Sequence, residues 1–281
     1  MTKSCITGGA VSPLFTAKIL GKYDVVYSRC DQTGFVQTEE PYWLQEAYSS
    51  AITALDIGLI GRNIENANLT QNWIPRINPS ANSFVDYGGG YGVFVRLMRD
   101  AGYPFLLYDE HCENLFAKGF ATNSLISAKD GEFDFLTAWE VFEHLASPTK
   151  SIRELCRVAH QVLFSTILIP DTEIRSASDW WYFTPETGQH VAFYSRRSLE
   201  FLAKSFGVYF YTDGKSNHLF SRIPLSVDPF LESGLKSLRK RFLSFMTCGS
   251  QANLAKPSLR QHDYEKALQS LRSNFDARGP Q

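Results

Sequence analysis

From residue 82 to about 222, short apolar runs alternate with segments whose apolar residues recur at helical spacing. The runs place strands near 84–87, 105–108, 124–127, 133–138, 162–168, 207–212 and 217–222, and the intervening segments place helices near 92–101, 111–118, 149–159 and 196–205. Strand and helix in alternation imply a parallel sheet covered by helices on both faces. The last two strands are close enough in sequence to form a hairpin. Upstream, Tyr23-Asp24-Val25-Val26-Tyr27 is expected to pair with Phe35-Val36-Gln37. Pro41 then opens a helical segment, Tyr42 to Ile57, apolar at Trp43, Leu44, Ala47, Tyr48, Ala51 and Leu55. A second helix is expected from Gly61 to about Ile74, before Pro75 and Pro79 break the pattern. Residues 228–277 read as two more helices, and no internal repeat is present.

One junction stands out. Phe84-Val85-Asp86-Tyr87-Gly88-Gly89-Gly90-Tyr91-Gly92-Val93 joins an apolar strand to a helix through glycines at alternate positions. Glycine lets the backbone turn sharply and leaves room for a ligand to lie against it. The first N–H groups of the following helix point into the same space. Farther on, Phe105-Leu106-Leu107-Tyr108 ends in Asp109, placed like the carboxylate that holds a ribose in nucleotide-binding folds. Asp109 has a second reading, as a cap on a helix beginning at Glu110. The spacing argues against a dinucleotide: Gly-x-Gly-x-x-Gly counted from Gly88 ends at Val93, and Asp86 would repel a pyrophosphate. A cationic ligand gains from that charge, since opposite charges near a protein surface attract by roughly 4 kcal/mol. An ordinary glycine turn is the competing reading, and the partner Asp109 weighs against it.

Asp86-x-Gly88-x-Gly90-x-Gly92 resembles motif I of the class I S-adenosylmethionine-dependent methyltransferases, whose ligand carries a sulfonium and an ammonium but no phosphate. Phe133-Asp134-Phe135-Leu136-Thr137-Ala138-Trp139-Glu140-Val141-Phe142-Glu143-His144-Leu145 is similar to the fourth-strand segment of small-molecule members, which often show Glu-Val-x-Glu-His. The stretch from Asp179 to Ser195, with Trp180-Trp181-Tyr182-Phe183 and Gln189-His190, resembles a branch linked to sugar and secondary-metabolite modification. The resemblance covers about residues 80–225. It implies an α/β, Rossmann-like, seven-stranded, mainly parallel sheet with helices on both faces, plus an N-terminal hairpin and helical cap and C-terminal helices. The corresponding domains are 1–80 (hairpin and cap or lid), 81–225 (the S-adenosylmethionine-binding core) and 226–281 (helical extension). The implied cofactor is S-adenosyl-L-methionine. Asp86, Gly88, Gly89, Gly90 and Gly92 would meet its methionine moiety and Asp109 its two ribose hydroxyls. Trp139 and Glu140 would converge on the same strand ends. Asn123-Ser124 to Lys129-Asp130, where an adenine contact is expected, has no clear signature.

Methyl transfer is an in-line displacement, and orientation can supply roughly 7–11 kcal/mol. A general base typically adds 10²–10⁴-fold for an oxygen nucleophile. His144 and His190 are the candidates, each a base, an acceptor ligand or a structural histidine. Trp180, Trp181 and Tyr182 form either a stacking wall for the acceptor or packing against the N-terminal helices. Trp43, with Tyr48 and Arg62-Asn63, is a candidate lid. The leading expectation is O-methylation of a sugar or secondary metabolite. C-methylation of a keto-sugar, with His144 or Glu143 as base, and a non-catalytic methyltransferase-like binding subunit are alternatives. An NAD-dependent reductase requires the Val93 mismatch to be forgiven.

Composition narrows the partners. Apolar content of 44% allows a substantial core without staples. A net charge of −1 gives no electrostatic case for nucleic acid. No apolar run approaches the ~20 residues that span a bilayer, and Met1-Thr2-Lys3-Ser4-Cys5 lacks a secretory apolar core. A cytoplasmic protein with a small-molecule acceptor is expected. Cys5, Cys30, Cys112, Cys156 and Cys248 are scattered, against a disulfide framework. Some sugar methyltransferases resembling this chain begin with paired Cys-x-x-Cys zinc knuckles. Here the second ligand of each is Gly8 or Thr33, too few for a tetrahedral zinc site, so no metal is expected. Lys236, Arg239, Lys240 and Arg241 read as a solvated helix face rather than an anion site.

Overall fold

A computed structural model describes residues 3–49, 56–122, 125, 127–230, 256–266 and 269. A six-stranded sheet of described residues forms the centre. Its strands are β4 (Phe84–Tyr87), β5 (Phe105–Tyr108), β6 (Phe133–Ala138), β7 (Ala159–Ser165), β9 (Tyr209–Thr212) and β10 (Asn217–Ser221), in the order β5-β4-β6-β7-β10-β9. The pairs β4–β5, β4–β6 and β6–β7 are parallel, and β10 is antiparallel to both β7 and β9. The expected hairpin of the last two strands is therefore present.

Side-chain alternation along these strands sorts the two cores. Phe84, Phe105, Leu107, Phe135 and Leu163 face α2 (Leu59–Ile77) and α3 (Val93–Asp100), packing with Trp73, Ile74, Phe94 and Met98. Val85, Leu136, Val162 and Phe164 face α4 (Pro148–Val158) and α5 (Arg196–Phe206), packing with Ile152, Leu155, Leu199 and Leu202. Local signals set the helix ends. Pro148 sits in the first turn of α4, where its missing N–H costs nothing. Ser195 Oγ accepts from Ser198 N–H at the start of α5, and Gly207 ends it with φ 71°.

Several expectations shift. The helix containing Pro75 does not stop there, because Pro75 lies on the exposed side of its last turn, where water can replace the lost backbone bond. No helix forms over 111–118. Asn114 instead accepts from Ala117 N–H through Oδ1 (2.9 Å) and donates to the Ala117 carbonyl through Nδ2 (2.7 Å), so a side chain competes with the helical ladder. Of the strand expected at 124–127, residues 124 and 126 lie outside the described residues, and 125 and 127 form a bend and a turn. A parallel bridge between Leu107 and Ala121 lies beside β5 instead, so the described sheet has six strands.

The N-terminal segment forms a second, antiparallel sheet. β1 (Val11–Ile19), β2 (Tyr23–Cys30) and β3 (Val36–Thr38) run in order and end on β8 (Ala192–Phe193). The expected pairing of the second and third strands is present, with Tyr27 opposite Thr38. Strand β1 and the contribution of β8 were not anticipated. After this sheet comes the short α1 (Leu44–Ala47); Ala51 and Leu55 of the longer helix expected there lie outside the described residues. Of the C-terminal extension, residues 260–266 are helical; most of it lies outside the described residues, including the 236–241 basic cluster and Cys248. No helix among the described residues is long and apolar enough to cross a membrane.

Candidate functional site

Strand order reverses between β4 and β6: the chain leaves β4 for β5 on one side and reaches β6 on the other. Ligands of open α/β sheets bind at the strand carboxyl ends at such a point, and both motifs end there. A cavity of about 610 Å³ opens over these strand ends.

The glycine loop forms one end of it. Asp86 is buried and accepts a 2.6 Å hydrogen bond from Thr137 Oγ1. Burial, reinforced by the nearby Asp109 and partly offset by the Thr137 bond, pushes its carboxyl up to about 8. Gly89 passes directly over Asp86, and a Cβ there would collide with Asp86 Oδ2 and Leu107 Cδ1. Gly88 has φ 70°, and a Cβ would stand 2.7 Å from Val141 Cγ2. Gly90 is different: a Cβ would meet no atom within 4 Å, so its missing side chain leaves cavity space. Asp109 ties this loop to the next one. Its Oδ2 accepts from Gly90 N–H at 2.8 Å, and its Oδ1 accepts from His111 and Cys112 N–H at 2.7 Å each.

The segment after β6 forms the floor. Glu140 has φ 55°, an unfavourable conformation for a non-glycine residue. Ser165 Oγ holds it there, accepting from Glu140 N–H at 2.7 Å and donating to Glu140 Oε1 at 2.6 Å. Trp139 lines the cavity, and its buried indole N–H has no hydrogen-bond partner among the described residues.

The far end is built from His144 and the loop leading into β8, with Glu143 buried next to His144. His144 Nδ1 pairs with the Gln189 carbonyl at 3.1 Å, and His190 Nδ1 with the Tyr182 carbonyl at 2.7 Å. A carbonyl only accepts, so each Nδ1 carries the proton and each Nε2 keeps its lone pair. The rings meet edge to face at 4.8 Å. Burial holds His144 down at about 3, with the neighbouring His190 adding to it, and burial likewise holds His190 at about 4. Both are neutral at physiological pH. Glu143 is fully buried, and the hydroxyls of Tyr182 and Thr166 face its carboxyl. Burial, with the charge of Glu140 nearby, raises its carboxyl to about 8.

The structure thus brings Asp86, Gly88, Gly89, Gly90, Asp109, Trp139, Glu140, His144, His190, Trp181 and Tyr182 around one cavity, with Tyr48, Arg62 and Asn63 from the N-terminal segment. Three candidates lie elsewhere. Gly92 is the left-handed residue that starts α3, packed against Asn114 and Ala117. Trp43 is buried under the aromatic loop and donates from Nε1 to the Gly188 carbonyl at 2.9 Å, so it is packing rather than a pocket wall. Trp180 belongs to the same core, its ring 5.1 Å from that of Phe183. Trp181, 70% exposed, stands at the cavity rim. His111 and Gln189 also line the cavity and were not anticipated. Position alone could have suggested His111, two residues after Asp109; it stacks on Tyr48 at 5.1 Å.

The profile of the family described as "Methyltransferase domain" matches residues 62–211, and the chain belongs to that family. No curated protein sequence matches the chain. Among solved structures, the chain is similar to TnmH (14% identity over 64% of this chain and 61% of that one, TM-score 0.44). It is also similar to CalO1, described as a methyltransferase in calicheamicin biosynthesis in an SAH-bound form (14% identity over 65% and 60%, TM-score 0.41). A third is an O-methyltransferase family 2 protein from Planctomyces limnophilus in complex with apigenin (12% identity over 63% and 66%, TM-score 0.45). The chain spans about three-fifths of the length of the first two, 61% and 60%.

Proposed function

We propose that the chain is an S-adenosylmethionine-dependent methyltransferase that transfers the methyl group to oxygen of a small molecule, a sugar or secondary metabolite. One observation carries the reading. A single cavity has the glycine loop with Asp109 at one end and two neutral histidines, each with a free Nε2, at the other.

The residues present fit the cofactor. Gly90 leaves open space, the Trp139 N–H is a donor without a partner, and Asp109 keeps one acceptor position. Three backbone N–H groups occupy three of the roughly four lone-pair sites of that carboxylate, so one remains for a ribose hydroxyl. When bound, S-adenosylmethionine supplies an electrophilic methyl group on a sulfonium. The protein's part is alignment, acceptance of the acceptor's proton and exclusion of water. His144 and His190 present lone pairs toward the acceptor end, and Trp181 offers an aromatic face at the rim for a sugar or ring.

Titration calorimetry tests this with S-adenosylmethionine, S-adenosylhomocysteine and NADH. The first two are expected to bind and NADH to give no heat. Binding of NADH without S-adenosylhomocysteine would overturn the assignment.

A further inference from the structure

Three side chains able to ligate a metal converge near the acceptor end. One ligand atom from each of Glu143, His144 and His190 lies within 4.8 Å of the others, and no other group of three or more His, Cys, Asp or Glu residues is so placed among the described residues. Both histidines donate Nδ1–H to backbone carbonyls, the outer contact that orients a metal-ligating imidazole and fixes its tautomer. Glu143 is fully buried, its carboxyl facing the Tyr182 and Thr166 hydroxyls, and a neighbouring cation would favour its charged form there. The scaffold behind it is rigid: Val191 N–H bonds the Glu143 carbonyl at 2.8 Å and joins the two ligand-bearing segments.

We propose that His144 and His190, which line the acceptor end of the cavity, and the buried Glu143 beside them form a divalent-cation site, with coordination positions left open on the cavity side to an acceptor oxygen. Two imidazoles and a carboxylate suit Zn²⁺ or a similar borderline metal rather than Ca²⁺ or Mg²⁺. The geometry needs only modest closure. Three atoms up to 4.8 Å apart fit within a circle of radius about 2.8 Å, whereas ligand distances are about 2.0–2.2 Å, so each donor need move inward by less than about 1 Å. Glu140, lining the same cavity, is a second carboxylate within the same loop. This site departs from the expectation that the protein holds no metal. Its catalytic meaning rests on the methyltransferase reading: the metal would bind the acceptor hydroxyl and make it more acidic, as zinc does to bound water. The two histidines would then act as metal ligands rather than as bases, and the hydroxyl proton would pass to the Glu140 carboxylate or to water in the cavity.

The test uses the full chain, stripped with a chelator, dialysed against ZnCl₂ and analysed for bound metal, with S-adenosylhomocysteine calorimetry on the same samples. The expected result is one Zn²⁺ per chain, retained in Cys30→Ser. His190→Ala and Glu143→Gln should weaken it at least about tenfold, the lower end of what loss of even an outer-shell partner costs, with S-adenosylhomocysteine affinity unchanged. Loading the wild-type chain with CoCl₂ is expected to give a visible ligand-field band without thiolate charge transfer, which decides the matter if a variant fails to fold. Absence of bound Zn²⁺ in folded protein, its loss in Cys30→Ser or a cobalt–thiolate band would overturn the site. Bound Zn²⁺ with no S-adenosylhomocysteine binding would support the site and overturn the methyltransferase reading.

Discussion

Asp109→Asn removes a charge and one acceptor oxygen while keeping side-chain shape. In the native loop, one carboxylate oxygen takes Gly90 N–H and the other takes His111 and Cys112 N–H. An amide has one acceptor oxygen and one NH₂ group, so in either orientation at least one backbone N–H faces another donor. The less costly orientation sacrifices the Gly90 contact. A hydrogen bond to a charged group contributes about 1.5–3 kcal/mol. In the free variant, the glycine loop can relax to satisfy Gly90 elsewhere, and ligand binding must then restore the cavity shape. That cost appears in the binding constant, and at about 1.4 kcal/mol per tenfold it corresponds to roughly 10–150-fold weaker S-adenosylhomocysteine binding. Calorimetry reads the affinity, and thermal denaturation checks that the fold survives. An affinity within about twofold of wild type, in a variant that remains folded, would refute the role given to Asp109.

Other consequences follow from the same contacts. Arg99 and Asp263 are both buried and form a bidentate pair at 2.7 and 2.8 Å, with Arg99 also donating to the Phe105 carbonyl. Asp263→Ala strands a buried cation and should cost about 3–5 kcal/mol; a melting temperature lowered by less than about 2 °C would contradict this. Asp86 titrates near 8 in the folded protein, well above its unfolded value of about 3.9. The native state therefore binds the extra proton between those values, and stability falls as pH rises through that window. Asp86→Asn abolishes this loss, so its stability relative to wild type should grow between about pH 5 and about pH 8; urea midpoints that shift in parallel would exclude it. Trp43→Ala should cost about 3–5 kcal/mol as a buried aromatic while leaving S-adenosylhomocysteine affinity intact. An undiminished stability with altered ligand binding would restore Trp43 to the pocket.

Much of the core was legible because its signals are local. Short apolar runs bounded by turn residues marked all six described strands of the central sheet. Glycine spacing and Asp109 marked one end of the cavity, and the two histidines line its other end. The helix expected at 111–118 failed because Asn114 closes a turn through its own side chain, a competition that periodicity does not register. The aromatic run 180–183 was divided by burial: Trp180 and Phe183 went into the core below, Tyr182 is buried along the cavity wall, and Trp181 stands at the rim.

The family and the glycine-loop end of the cavity were readable from residue types at fixed spacing, because a strand, a glycine turn and a following carboxylate are set within about 25 residues of chain. The convergence of Glu143 and His144 with His190 depends on a loop returning from 46 residues away to join the N-terminal sheet through β8. Protonation state and donor geometry arise from desolvation and through-space neighbours, which linear order does not encode.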